Sequence, residues 1–225
     1  MVKLLAANDL IVTGPVDQAG WNYRPVLGYI QRLRFDLVSQ LLPKHTVPKV
    51  LELGYGSGVF MPELASRCEA LFGLDVHPYA GAVTSILASR GIKATLSEGT
   101  ATAMPYEGDY FDVIVAVSCL EFIPNIAEAA QEMRRVLKPH GHLIFVTPGH
   151  SAFIDAGLRI MTRGRASEYY GERRHKLMIN LSKQFESEAT IAFPTAFIPS
   201  LTLYTAVKAK PRFDVPDGVP GGPVN

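Results

Sequence analysis

From residue 49 to residue 147 the chain alternates short apolar runs with stretches of helical periodicity, and this rhythm constrains the fold more than any other feature. The apolar runs are Lys49-Val-Leu-Glu-Leu53, Ala70-Leu-Phe-Gly-Leu-Asp75, Ile92 to Leu96, Val113-Ile-Val-Ala-Val117 and His142-Leu-Ile-Phe-Val-Thr147. Runs this short and this apolar read as strands buried on both faces of a parallel sheet. Helical patterns lie between them: the residues after Gly58, then Tyr79 to Arg90 ended by Gly91, then Ile126 to Leu137 stopped by Pro139. Parallel strands need long crossovers, and helices supply them. Upstream, Val26, Leu27, Ile30, Leu33, Leu37, Val38 and Leu41 mark a helix from Arg24 to Leu42, closed by Pro43. Downstream, Ala189 to Phe193 and Leu201 to Val207 suit an antiparallel hairpin at the far edge. The expected fold is α/β, a doubly wound and mostly parallel seven-stranded sheet with a C-terminal antiparallel hairpin.

The expected organisation is an N-terminal arm over 1–20, one domain over 21–209 and a tail over 210–225. The arm is punctuated by Asn8, Asp9, Gly14 and Pro15, and the tail is rich in Pro and Gly, a composition that builds no core. Lys and Arg number 22 against 21 Asp and Glu, so no basic excess marks the chain as a dedicated nucleic-acid binder. Cys68 and Cys119 have no partner at metal-ligand spacing and fall in apolar segments, so both read as core residues and no metal site is expected. The first apolar run breaks at Asn8 and Asp9, too short for a membrane span, and the chain reads as cytoplasmic.

Where the first strand ends, Gly54-Tyr-Gly-Ser-Gly58 leads into a helix. A glycine turn there lets main-chain N–H groups approach a ligand closely. Two carboxylates sharpen the signal. Glu52 sits at the buried end of the strand, where it is costly without donors. Asp75 ends the second strand 21 residues after Gly54, placed to accept from a ribose diol. The loop Gly99-Thr-Ala-Thr-Ala-Met-Pro-Tyr106 follows the third strand, beside the place an adenine would occupy.

These motifs stand in the order and spacing of a known family. Val50-Leu-Glu-Leu-Gly-Tyr-Gly-Ser-Gly58, Gly73-Leu-Asp75, Ala103-Met-Pro-Tyr followed by Phe111-Asp-Val-Ile114, and Glu132-Met-Arg-Arg-Val-Leu-Lys-Pro-His-Gly-His-Leu143 resemble the Rossmann-like class I S-adenosylmethionine-dependent methyltransferase domain over about 48–148. The resemblance implies S-adenosylmethionine as cofactor. It implies that Glu52, Gly54, Gly56 and Gly58 line the methionine part, that Asp75 holds the ribose, and that Val76, Thr100 and Ala101 surround the adenine. Ser118 would face the methyl group. The family often has an acid where this chain has Thr100, so the adenine amine contact is expected to be weaker or made by backbone.

Methyl transfer needs alignment of acceptor, methyl carbon and sulfur, and for an O or N acceptor a general base. Glu121 and His150 are the candidate bases, with His175, Tyr169 and Tyr170 behind them. Residues 150–185 are expected to cover the acceptor site. Within them Arg159, Arg163, Arg165, Arg173, Arg174 and Lys176 alternate with Phe153, Ile154, Leu158, Ile160 and Met161, a pattern that suits either an anionic or lipid-like acceptor or an ordinary solvated face. Ser118-Cys-Leu-Glu121 stands where amino methyltransferases of bases or glutamine carry an Asn-Pro-Pro-Tyr-like tetrapeptide, which favours a small-molecule acceptor. Two other readings stay open. A nicotinamide-dependent dehydrogenase shares the turn and the second-strand acid, but Val59 stands where its third glycine falls. A non-catalytic scaffold that binds the same cofactor is the other. Asp112 is expected to tie down a neighbouring strand. His77, His140 and His142 are expected to be solvated, and Trp21, Tyr23 and Tyr29 to form either a lid or a packed helix.

Overall fold

A computed structural model describes residues 2–14, 19–148, 167–194 and 202–212, with side chains of 167–174 left aside. Seven strands form one sheet: β1 (Val47–Leu53), β2 (Cys68–Asp75), β3 (Thr95–Glu98), β4 (Phe111–Val117), β5 (Leu137–Pro148), β6 (Phe185–Phe193) and β7 (Tyr204–Pro211). Their order is β3-β2-β1-β4-β5-β7-β6. The first five strands are parallel neighbours, and β7 runs antiparallel to both β5 and β6. The doubly wound α/β sheet and its C-terminal antiparallel pair are therefore present, with β7 slotted between β5 and β6. The order in which strands are added reverses between β1 and β4, and such a switch point is where crossovers on opposite faces leave a crevice at the strand ends.

The helices are α1 (Pro25–Leu41), α2 (Met61–Ala65), α3 (Ala80–Ser89), α4 (Ile126–Val136) and α5 (Ser167–Gln184). Alternate strand residues point to opposite faces. Val50, Val113, Val115, Ile144 and Val146 join the core that holds α1, α2 and α3. Leu51, Leu53, Ile114, Ala116, Leu143 and Phe145 join the second core, with Met133, Val136, Leu177 and Leu181 from α4 and α5. Two buried layers explain why the strands read as continuous apolar runs.

Two elements depart from the sequence reading. The third strand starts at Thr95 rather than Ile92, because Gly91 (φ +73°) ends α3 in a tight turn, with Ile92 N–H donating to Leu87 O at 2.9 Å. The C-terminal strand runs on through Lys210 and Pro211, and Arg212 N–H donates to Gln184 O at 2.8 Å, so the ordered domain reaches into the expected tail. Asp112 does the tying work expected of it. It accepts from Lys49 N–H at 2.9 Å and pairs with Lys138 Nζ at 2.8 Å, joining β1, β4 and β5 at their amino ends.

Candidate cofactor and acceptor site

The glycine turn crosses the carboxyl end of the sheet at the switch point. Gly54, Gly56 and Gly58 have φ of +73°, +52° and +79°, a region that side chains penalise. Two of them are also packed from behind. A Cβ on Gly54 would stand 2.6 Å from Cys119 Cβ, and one on Gly58 would stand 3.1 Å from Val83 Cγ1. Only Gly56 has an open side.

Asp75 and His77 clamp that middle glycine from both ends of its peptide. Asp75 Oδ2 accepts from Gly56 N–H at 2.8 Å, while Oδ1 accepts from Val76 N–H at 2.7 Å. Tyr79 N–H donates to His77 Nδ1 at 3.2 Å, which leaves the ring proton on Nε2 to donate to Gly56 O at 2.9 Å. His77 is buried, contrary to the solvated position expected for it, because its ring packs edge-on against Tyr55 with centroids 4.9 Å apart. Nothing in the local sequence distinguishes it from His140, which lies in the open. His142 is half-buried and pairs with Glu188 at 3.0 Å.

Glu52 points to the α1–α3 side of the sheet, since Leu51 and Leu53 point the other way. It is 3% exposed and its Oε2 has no hydrogen-bond partner among the described residues. Burial pushes its carboxyl well above the usual range, and the Asp75 charge adds to the rise. The buried Tyr55 hydroxyl, Ser57 Oγ and Ser118 Oγ also lack partners among the described residues. Ser118 ends β4 at φ +50°, an uncommon conformation for a residue with a side chain, of the kind that collects at functional sites. These four buried polar groups lie on β1, the glycine turn and the residue after β4, and buried polar groups without a protein partner call for another one.

The raised Glu52 carboxyl has a measurable consequence. A carboxyl whose folded pKa exceeds its unfolded one stabilises the fold fully below the unfolded value, and that contribution is lost as pH rises through the folded value. The ligand-free protein should therefore lose thermal stability as pH climbs above the ordinary 4.5, and Glu52→Gln should flatten that dependence. Melting curves of both proteins across pH read it directly; parallel curves would contradict it.

The other expected residues fall into two groups. Val76 is 70% exposed beside Asp75, a free apolar surface at the crevice. Gly99 N–H donates to Asp75 O at 2.8 Å, bringing the loop with exposed Thr100 and buried Ala101 alongside. That loop is held from α4: Glu132 accepts from Met104 N–H at 2.9 Å, and Arg135 donates to Met104 O and Tyr106 O. Glu121 is buried in a single 3₁₀ turn (Leu120–Phe122) after β4, and its charge reaches the Tyr204 phenol on β7. His150 and residues 151–166, with Arg159, Arg163 and Arg165, lie outside the described residues, as do the side chains of Tyr169, Tyr170, Arg173 and Arg174; His175 is exposed. Trp21 and Tyr23 belong to a 3₁₀ segment packed on α1, in line with the packed alternative, whereas Tyr29 is exposed.

Sequence reading missed Cys119 as the wall behind Gly54. Its thiol donates to Leu53 O at 3.0 Å, and burial pushes its pKa well up. Both cysteines are free, Cys68 raised by burial to about 11. Among the described residues no group of three or more His, Cys, Asp or Glu is arranged to hold a metal, and no helix is long and apolar enough to cross a membrane.

Comparison with known proteins agrees with this geometry. The family model of the methyltransferase domain matches residues 51–145, which run from within β1 to within β5 and contain the turn, Asp75 and the loop of residues 99–106. Residues 51–145 are thus similar to the domain of class I S-adenosylmethionine-dependent methyltransferases. The methyltransferase domain is 28% identical over 120 residues to a ubiquinone biosynthesis O-methyltransferase of Alkalilimnicola ehrlichii, covering 52% of this chain and 49% of that protein. The chain spans about half the length, or less, of the curated relatives it matches. Among solved structures, the N-methyltransferase NodS of Bradyrhizobium japonicum in complex with S-adenosyl-L-homocysteine superposes with a TM-score of 0.60 at 17% identity, over 87% of this chain and 93% of that one. The [4+2]-cyclase SpnF superposes at 0.64 and 18% identity, over 84% and 83%. At these identities the likeness is one of fold, and SpnF shows that this fold also hosts a reaction that its name does not call methylation.

Proposed function

We propose that this chain transfers a methyl group from S-adenosylmethionine to a small-molecule acceptor. The observation that carries the reading is the row of buried, unpartnered polar atoms on Glu52, Tyr55, Ser57 and Ser118 around a glycine turn clamped to Asp75. Those groups fit this cofactor's chemistry. Glu52 accepts from a cationic ammonium, the remaining lone pairs of Asp75 accept from the ribose hydroxyls, and Val76 with Thr100 and Ala101 borders the adenine. When bound, the cofactor supplies an electrophilic sulfonium methyl. The protein aligns the acceptor and excludes water. Glu121, buried one turn beyond Ser118, would take the proton of a hydroxyl or amine acceptor; His150 is the second candidate for that role. The curated relatives' names support a small acceptor: ubiquinone biosynthesis and sterol 4-C-methylation are among them. The basic and apolar residues of 150–185 suit an anionic or lipid-like body for it, and the chain is read as acting in the cytoplasm without stable nucleic-acid binding.

A dehydrogenase is disfavoured by the same site. A pyrophosphate laid over the turn would meet the Glu52 and Asp75 carboxylates at the strand ends, and Val59 takes the place of the third glycine. Calorimetric titration separates the readings. Binding of S-adenosylmethionine and of S-adenosylhomocysteine, with no heat from NAD, is the expected result, and binding of NAD alone would overturn the proposal. Release of S-adenosylhomocysteine on mixing with phenolic, amine and carboxylate acceptors then distinguishes catalysis from a binding scaffold.

A further inference from the structure

The open side of Gly56 is bordered by the N-terminal arm, which is bound to the domain at Lys3, Leu5 and Asp9. Lys3 N–H donates to Glu63 Oε2 at 3.1 Å, and Glu63 in turn accepts from Ser39 and Arg67, so the arm shares its anchor with α1 and α2. Leu5 N–H donates to Val59 O at 3.0 Å, Leu5 is 2% exposed, and the Tyr23 hydroxyl donates to Leu5 O. Asp9 forms a two-point ion pair with Arg90 at the end of α3, at 2.6 and 2.8 Å. This path brings Thr13 to the turn. Its Oγ1 stands 3.9 Å from the position of a Gly56 Cβ, the one atom within 4 Å among the described residues outside the turn itself.

We propose that Thr13 is a cofactor-binding residue whose hydroxyl donates to the α-carboxylate of S-adenosylmethionine, with the Asp9–Arg90 pair holding the arm in place. The proposal rests on the functional reading above. Its logic is one of charge. Glu52 and Asp75 line the strand ends with acceptors, which suit the ammonium and the ribose hydroxyls and repel a carboxylate. The carboxylate needs a donor on the other side of the turn, and Thr13 is the side chain that borders the one open glycine. A hydroxyl beside an anion forms a charge-assisted hydrogen bond.

The test compares two ligands on the full chain. S-adenosylmethionine carries the α-carboxylate; 5′-methylthioadenosine has the same adenosine and sulfur without the amino-acid part. Thr13→Val is expected to weaken S-adenosylmethionine about tenfold by calorimetry, to leave 5′-methylthioadenosine unchanged, and to be rescued by Thr13→Ser. Equal losses for both ligands, or no loss, would overturn the assignment. Should Thr13→Val not fold, Asp9→Asn reads the same contact by loosening the arm. A two- to threefold loss, confined to S-adenosylmethionine and fading at high salt, supports the assignment, and no loss overturns it. A wild-type chain that binds neither ligand would sink the functional reading itself, whereas wild-type binding that Thr13→Val leaves untouched sinks only the role of Thr13.

Discussion

Asp75→Ala should weaken S-adenosylmethionine binding by roughly 100-fold or more, on the order of 3 kcal/mol. Two losses combine. The acceptors for the ribose hydroxyls disappear, and hydrogen bonds to an ionised group contribute about 1.5–3 kcal/mol each. The turn is also released, because Asp75 Oδ2 holds Gly56 N–H and Oδ1 holds Val76 N–H. Asp75→Asn keeps one acceptor oxygen and should fall between the two. Calorimetric titration of the three proteins checks the order; an alanine variant within threefold of wild type would mean that the ribose is held elsewhere.

Gly54→Ala should destabilise the fold by about 2–5 kcal/mol, which lowers Tm by roughly 5–15 °C for a domain of this size. At φ +73° a side chain is strained, and the new methyl would stand 2.6 Å from Cys119 Cβ and 2.8 Å from its Sγ. The two costs are separable. Cys119→Gly in the same chain clears the clash and leaves the backbone strain, so the double variant should recover part of the loss. Gly56→Ala meets no close atom. It should cost little stability beyond the strain and act mainly on cofactor affinity, since its methyl would project into the open side of the turn. Melting temperatures and titrations on the three variants test the contrast between a glycine needed for packing and one needed for ligand approach.

The cradle and its supports were unequally legible. Glu52, the three glycines and Asp75 could be proposed because each is tied to a strand end by a short fixed spacing, and strand ends are readable from apolar runs. Ser118 followed from the end of the fourth run in the same way. His77, Cys119 and Thr13 were not legible as neighbours of the turn. His77 earns its place through Tyr55, an aromatic residue inside the turn whose ring covers it. Cys119 reaches Gly54 across the gap between β4 and β1, a contact between residues 65 positions apart. Thr13 arrives by way of an arm with no secondary-structure period to read, held by Glu63, Val59 and Arg90 from two different helices and a loop. The edges of elements slipped for local reasons: the turn at Gly91 delayed β3, and pairing with β6 carried β7 past Lys210 despite the proline at 211.

The sequence by itself determined the layered α/β sheet and the strand ends that carry Glu52, the glycine turn and Asp75. Hydrophobic periodicity dictates which segments must be buried on both faces, and that requirement is local to each segment. Tertiary structure alone decided the β5-β7-β6 order, the clamp of Asp75 and His77 on Gly56, and the approach of the N-terminal arm to the turn. Each of these joins groups far apart in the chain through hydrogen bonds whose partners are set by packing, and packing leaves no period in the sequence.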